Sequence, residues 1–208
     1  GPSLKKDSEG DLFWNYESRE SIGRVRAFNG NFNVLLRALV YIKRNGKEGI
    51  KRIAETATLN ANYIQSRIKQ SEILASSGVF SPKFNRVCKH EFIISAQKLK
   101  EQYGITALDV AKRLLDKGIH APTIYFPLTI PETIMIEPTE TEPKSSLDAL
   151  VTAFEEIITE AQTEEGRAML KTAPHSTEFS RFDELKAVKE PVLSERMEAQ
   201  NSCRALRL

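Results

Sequence analysis

The chain has 208 residues, of which 40% are hydrophobic and 28% are charged, and its formal net charge is +2. This size predicts one domain, or one domain with extensions, and the apolar content excludes an intrinsically disordered chain. The balance of 30 basic against 28 acidic residues excludes a general attraction to nucleic acid or to an anionic membrane. Since no apolar run approaches the ~20 residues of a membrane helix and no leader opens the chain, we expect a cytoplasmic protein.

The first part of the chain combines a polar extension with two predicted helices. Residues 1–28 form the extension, in which GPSL resembles the scar of a cleaved expression tag and residues 12–16 resemble a strand. Apolar residues recur at helical spacing over 31–44, where Gly46 ends the pattern, and again over 48–69. The second helix is long for a small domain, which suggests that it links two lobes.

The pattern then changes to short strands alternating with helices. β-branched runs predict strands over 91–96, 123–126 and 133–136, and the short connection over 128–132 favours an antiparallel pair. Helices are predicted over 107–117, where Thr106 and Asp109 resemble a capping box, and over 146–161, 164–171 and 182–188. The order predicts an α+β domain over 29–190, with helices covering a short, mainly antiparallel sheet, and a polar tail over 191–208.

Few residues carry a chemical signal of their own. The three histidines are too far apart for a local metal motif, and Cys88 and Cys203 have no metal-ligand spacing, so we predict no metal site. His90 and Glu91 open a predicted strand, where side chains beside a cleft often serve function, although a structural hydrogen bond is the alternative for His90. The glutamates of MIEPTETEP (135–143) leave a structural turn, a ligand contact and a cation site open.

The stretch RVRAFNGN (24–31) places two arginines, a glycine and an asparagine before a helix. The free N–H groups at a helix start favour an anion such as phosphate, and Gly30 permits close approach of the backbone. Asn31 would donate a hydrogen bond there, although a helix that begins with Gly-Asn is also explained by capping.

Several stretches resemble one family when they are taken in order. They are SIGRVRAFNGNF, LNANY, KHEFIIS, ALDVAKRLLDKGIHAPTIYFPL, MIEPTETE and APHST. Over about residues 20–190 the chain is similar to subunit 2 of glycine dehydrogenase (decarboxylating), the P-protein of the glycine cleavage system. The resemblance implies the C-terminal small domain of a fold type I pyridoxal-phosphate enzyme.

The resemblance also implies an activity and partners. Such an enzyme decarboxylates glycine and passes the aminomethyl group to the lipoyl arm of the H-protein, while subunit 2 assembles with subunit 1 in a homo- or hetero-oligomer. The coenzyme draws off the electrons left by the lost CO2. The family's cofactor lysine lies in a His-Lys-Thr context that these residues lack, so we expect no catalytic residue in this chain, no bound coenzyme and no activity of the chain alone.

Individual residues acquire roles only through this resemblance. It implies that Gly30, Asn31 and Arg26 reach the phosphate of the coenzyme. It also implies that His90, Glu91, Thr139 and Glu140 line a cleft for substrate or the lipoyl arm.

Two rival interpretations remain open from the sequence. One is a protein-interaction module without chemistry. The other is the small domain of an aminotransferase or a cysteine desulfurase, which is disfavoured because Cys88 does not lie in a flexible catalytic loop.

Overall fold

The computed structural model describes residues 2–23, 30–84 and 86–193. The chain divides into two compact units, Gly1–Lys51 and Arg52–Leu208. In the first unit, β1 (Ser3–Lys6) pairs antiparallel with β2 (Leu12–Asn15), so that Leu4 faces Trp14. The sequence predicted β2 but not its partner strand.

Helix α1 runs from Phe32 to Gln70 and passes the boundary between the units. Gly46 interrupts it with a φ of 65° and a ψ of −179°, a conformation that costs a glycine little because it has no Cβ. The two predicted helices are therefore two segments on either side of a kink at the glycine that was predicted to end the first.

The second unit is α+β, as predicted, and holds the remaining elements. They are α2 (Glu72–Ser77), β3 (Phe92–Ser95), α3 (Gln97–Tyr103), α4 (Ala107–Asp116), β4 (Thr123–Ile124), β5 (Thr133–Ile136), α5 (Lys144–Ala161), α6 (Glu164–Thr172) and α7 (Glu184–Lys189). The predicted capping box of α4 is present: the Thr106 hydroxyl accepts from the Asp109 amide, and the Asp109 carboxylate accepts from the Thr106 amide. Short α2 and α3 were not predicted.

The sheet has the order β3–β5–β4 and is antiparallel throughout. Phe92 pairs with Ile136 and Ile94 pairs with Ile134, and all four side chains are buried. They join the same buried cluster as the apolar face of α5 and the second segment of α1. Strand β4 is shorter than predicted because Tyr125 has a φ of 59°, which ends the extended backbone.

The segment after α6 is fastened to α4 by charged side chains. Arg181 donates to the Asp109 carboxylate at 2.7 Å and to the Ala173 carbonyl at 2.8 Å.

Among the helices that the structure describes, none is long and apolar enough to cross a membrane.

Candidate functional site

The register of the sheet brings the two polar motifs of the sequence together. Phe92 pairs with Ile136 in the antiparallel ladder of β3 and β5. Glu91 precedes Phe92 and Glu137 follows Ile136, so both glutamates leave the sheet at the same end. KHEF (89–92) and MIEPTETEP (135–143) therefore form one site, although more than 40 residues separate them.

His90 stands between these two glutamates. Its Nε2 lies 3.9 Å from a Glu91 carboxylate oxygen and 3.8 Å from a Glu137 carboxylate oxygen. The three side chains are 41% to 59% exposed, so solvent reaches all of them. Water screens charge interactions among exposed groups such as these, so the cluster contributes little to stability.

One donor atom from each of these residues lies within 4.8 Å of the others, close enough for a cation between them. The same spacing also suits an open ion-pair cluster linked by water. The sequence-based expectation of no metal stays a prediction.

A cavity of about 560 Å³ opens beside His90 and is bounded in part by strands β3 and β5. Ile93 and Met135, which are paired across β3 and β5, both line the cavity. Because strand side chains alternate between the two faces of a sheet, these two lie on the face opposite to the buried cluster. Phe84, Phe126 and Pro127 add apolar surface, while Arg86, Lys89 and Glu91 supply charge and His90 supplies a polar ring. The cavity therefore suits a ligand with an apolar stem and a polar end.

Cys88 also lines this cavity. Burial raises the pKa of its thiol and outweighs the lowering by a backbone hydrogen bond and by Lys69. The thiol is therefore protonated at neutral pH, which does not suit a nucleophilic cysteine.

The acidic turn after β5 (137–142) has an internal hydrogen-bond network. The Glu142 amide donates to the Thr139 carbonyl at 3.3 Å, and the hydroxyls of Thr139 and Thr141 lie 2.6 Å apart. Thr139 is exposed and Glu140 is half-buried in this turn. The turn thus has a defined backbone, and Glu137 lies at its start.

The residues expected at a coenzyme phosphate lie in the first unit. Gly30 has a φ of 110°, and the Asn31 side-chain oxygen accepts from the amides of Asn33 and Val34 at 3.0 and 3.3 Å. Asn31 is therefore engaged in capping α1. Arg26 lies outside the described residues.

Pyridoxal phosphate needs a lysine for its imine and a pocket around its phosphate. The described residues do not fit the whole group. The Asn31 oxygen takes up the Asn33 and Val34 amides, which could otherwise donate to a phosphate, and the cavity lysine, Lys89, is exposed. The structure brings together His90, Glu91 and Glu137. The sequence indicated Glu137 as part of the acidic turn but did not predict that it lies beside His90.

Comparisons with known proteins give one consistent result. The family model described as "Glycine dehydrogenase, C-terminal domain" matches residues 53–175. The probable glycine dehydrogenase (decarboxylating) subunit 2 of Coxiella burnetii is 50% identical over 190 residues, which are 91% of this chain and 37% of the relative. The corresponding protein of Thermococcus gammatolerans is 46% identical over 197 residues, covering 94% of this chain and 38% of the relative.

One solved structure that matches part of the chain is the inhibitor-bound glycine decarboxylase (P-protein) of the glycine cleavage system. It is 21% identical, has a TM-score of 0.48, and the match covers 74% of this chain and 34% of that chain. The chain thus spans less than two fifths of the length of these relatives. Because the family model spans more than half of the 208 residues, the chain belongs to the family of glycine dehydrogenase C-terminal domains.

Proposed function

We propose that this chain is the C-terminal part of a decarboxylating glycine dehydrogenase subunit and forms one wall of the cleft that receives the lipoyl arm of the H-protein. The observation that carries the proposal is the meeting of His90, Glu91 and Glu137 beside a largely apolar cavity, in a chain of this family. The wider activity is glycine decarboxylation followed by transfer of the aminomethyl group to the lipoyl disulfide.

The cavity matches the chemistry of a lipoyl group. A dithiolane on an aliphatic stem is apolar along most of its length, and Phe126, Pro127 and Met135 offer an apolar wall to it. His90 and Glu91 lie at the polar part of the lining, where they would orient the amine-bearing end by hydrogen bonds. Thr139 and Glu140 follow Glu137 in the turn, and we place them at the rim of the same cleft.

We assign the coenzyme to the rest of the subunit. Pyridoxal phosphate supplies an electron sink for the electrons left by loss of CO2. We keep Gly30, Asn31 and Arg26 as proposed phosphate contacts. The Asn31 oxygen caps α1, so its side-chain NH2 group would be the donor, and Arg26 lies outside the described residues. The division into an extension over 1–28, a small domain over 29–190 and a tail over 191–208 is likewise proposed on the sequence pattern.

An unusually apolar helix segment supports assembly with further protein. The exposed fractions of seven large side chains in α1 range from 44% to 74%, namely Phe32, Val34, Leu35, Leu36, Leu39, Val40 and Ile42. A helix that is apolar on all sides is normally buried. We propose that the remainder of subunit 2, together with subunit 1, covers this segment in a cytoplasmic oligomer.

Lipoamide is the direct probe of the cleft. We expect a saturable shift of the Met135 methyl resonance when lipoamide is added to the full chain, with little shift of Met169, which does not line the cavity. Phe126→Ala should weaken binding, because it removes an apolar wall.

Phe182→Ala is the matched control, since Phe182 is also exposed but lies outside the cavity lining. Equal effects of the two substitutions, or no shift at Met135, would contradict the assignment of the cavity.

A further inference from the structure

Two asparagines on α1, two positions apart, reach two different loops. The Asn60 Nδ2 donates to the Thr139 carbonyl at 2.8 Å and to the Glu142 carbonyl at 3.4 Å. Its side chain thus bridges the acidic turn, 79 residues away in the sequence. Asn60 is only 8% exposed, so these carbonyls replace water as its partners.

Asn62 binds the loop that precedes β3 in a similar way. Its Oδ1 accepts from the Cys88 amide at 3.0 Å, and its Nδ2 donates to the Cys88 carbonyl at 2.8 Å. One carboxamide therefore satisfies both backbone groups of Cys88, as a neighbouring strand would. The Nδ2 also donates to the Thr58 carbonyl within α1 at 2.8 Å, which orients the side chain.

The two anchored positions lie symmetrically about the polar cluster. Cys88 is two residues before His90, and Thr139 is two residues after Glu137. A rigid helix that holds both loops sets the distance between them, because Asn60 and Asn62 are separated by a fixed rise of about 3 Å. Asparagine is a weak helix former, and a buried carboxamide is costly without partners, so packing alone does not explain the pair.

We propose that Asn60 and Asn62 are positioning residues, which hold the KHEF loop and the acidic turn so that His90 meets Glu91 and Glu137. The meaning of the cluster as a lipoyl-facing cleft rests on the proposed function, whereas the positioning itself does not. Neither asparagine is assigned to act on the substrate.

The test uses the full chain and three substitutions with one control. Asn62→Ala removes every bond to Cys88, Asn62→Asp keeps the acceptor for the Cys88 amide, and Asn60→Asp removes the donor to the turn without changing side-chain size. Asn45→Asp is the control, because Asn45 donates to the Tyr41 carbonyl of its own helix at 2.8 Å.

Amide hydrogen exchange measures the protection of each loop separately, at the Cys88 amide and at the Glu142 amide. We expect Asn62→Ala to raise the exchange rate of the Cys88 amide about tenfold, the scale of one lost hydrogen bond, and Asn62→Asp to preserve its protection. Asn60→Asp should raise exchange of the Glu142 amide and leave Cys88 unchanged. A uniform rise across the chain would overturn the proposal, because it would indicate loss of global stability alone.

The NMR signals of the His90 ring report whether the polar cluster changes when either loop is loosened. Asn60→Asp and Asn62→Ala should both shift the His90 signals, because each substitution loosens a loop next to His90, while His120 and His175 serve as internal references. Unchanged His90 signals despite local opening of both loops would overturn the positioning role. If lipoamide fails to bind the unmodified chain while these shifts occur, the proposed function fails and the positioning stands.

Discussion

The carboxylate of Asp116, at the end of α4, accepts hydrogen bonds from the backbone amides of His175 and Ser176 at 2.5 and 2.8 Å. Arg113 donates to the same carboxylate at 3.0 Å. Burial by itself would raise the pKa of Asp116, but these hydrogen bonds outweigh burial and hold the pKa far below its ordinary value of 3.8. The charged carboxylate thus joins the APHST segment to α4.

We predict that Asp116→Asn lowers the free energy of unfolding at pH 7 by about 2 kcal/mol, since it removes an ionised acceptor from several donors. A depressed pKa in the folded state adds stability that is full above the unfolded pKa and is lost as the pH falls through the folded value. The difference between variant and parent should therefore shrink below about pH 4 in urea titrations. Glu178→Gln, at an exposed position, is the control and should show a much smaller difference.

Arg181 should also stabilise the attachment of the segment after α6 to α4. Its guanidinium donates to the Asp109 carboxylate and to the Ala173 carbonyl, and the Asp109 side chain is only 8% exposed. We expect Arg181→Ala to cost about 2–3 kcal/mol in urea unfolding, because a buried carboxylate loses its charged partner. Arg52→Ala, which replaces an exposed arginine, should cost far less. Equal losses in the two variants would show that the contact with Asp109 contributes no specific stability.

Gly166 in α6 should not tolerate a side chain. A Cβ placed there would lie directly against the Glu160 carbonyl oxygen and 2.8 Å from the Thr163 hydroxyl. Because backbone atoms cannot yield as a flexible side chain does, we predict that Gly166→Ala lowers the thermal unfolding midpoint and costs about 3 kcal/mol. Glu165→Ala changes the neighbouring exposed position and should leave the midpoint nearly unchanged.

The thiol of Cys88 should react slowly with iodoacetamide at neutral pH. Its pKa is raised mainly by burial, so the reactive thiolate is scarce. In a Cys203→Ser background, the rate should rise with pH and reach half its maximum above pH 9.0, the ordinary value for a cysteine. A half-maximum well below that pH would indicate an activated cysteine and would reopen the cysteine desulfurase interpretation.

The elements that could be predicted are those with a strong local pattern. Strands β3 and β5 and helix α5 follow from β-branched runs and helical periodicity, and the α4 capping box follows from Thr106 and Asp109. Helices α2 and α3 have only six and seven residues, too few for a period to repeat convincingly.

The candidate site shows the same limit. His90 and Glu91 could be selected from their place at a strand start, and Glu137 would have followed if the two strands had been paired in register. The bond from Asn60 to Thr139 could not be predicted, because a side chain that binds a backbone carbonyl 79 residues away leaves no pattern in the sequence.

The most direct test of the central claim is exchange of the glycine carboxyl group with labelled bicarbonate. The chain alone, supplied with pyridoxal phosphate, should show only background exchange. The Coxiella burnetii relative, with its matching region replaced by this chain, should exchange when subunit 1 and lipoyl H-protein are present. His90→Ala in that hybrid should reduce the rate about tenfold, because the lipoyl arm loses a group that orients it. Exchange by the chain alone, or a folded hybrid without activity, would contradict the assignment.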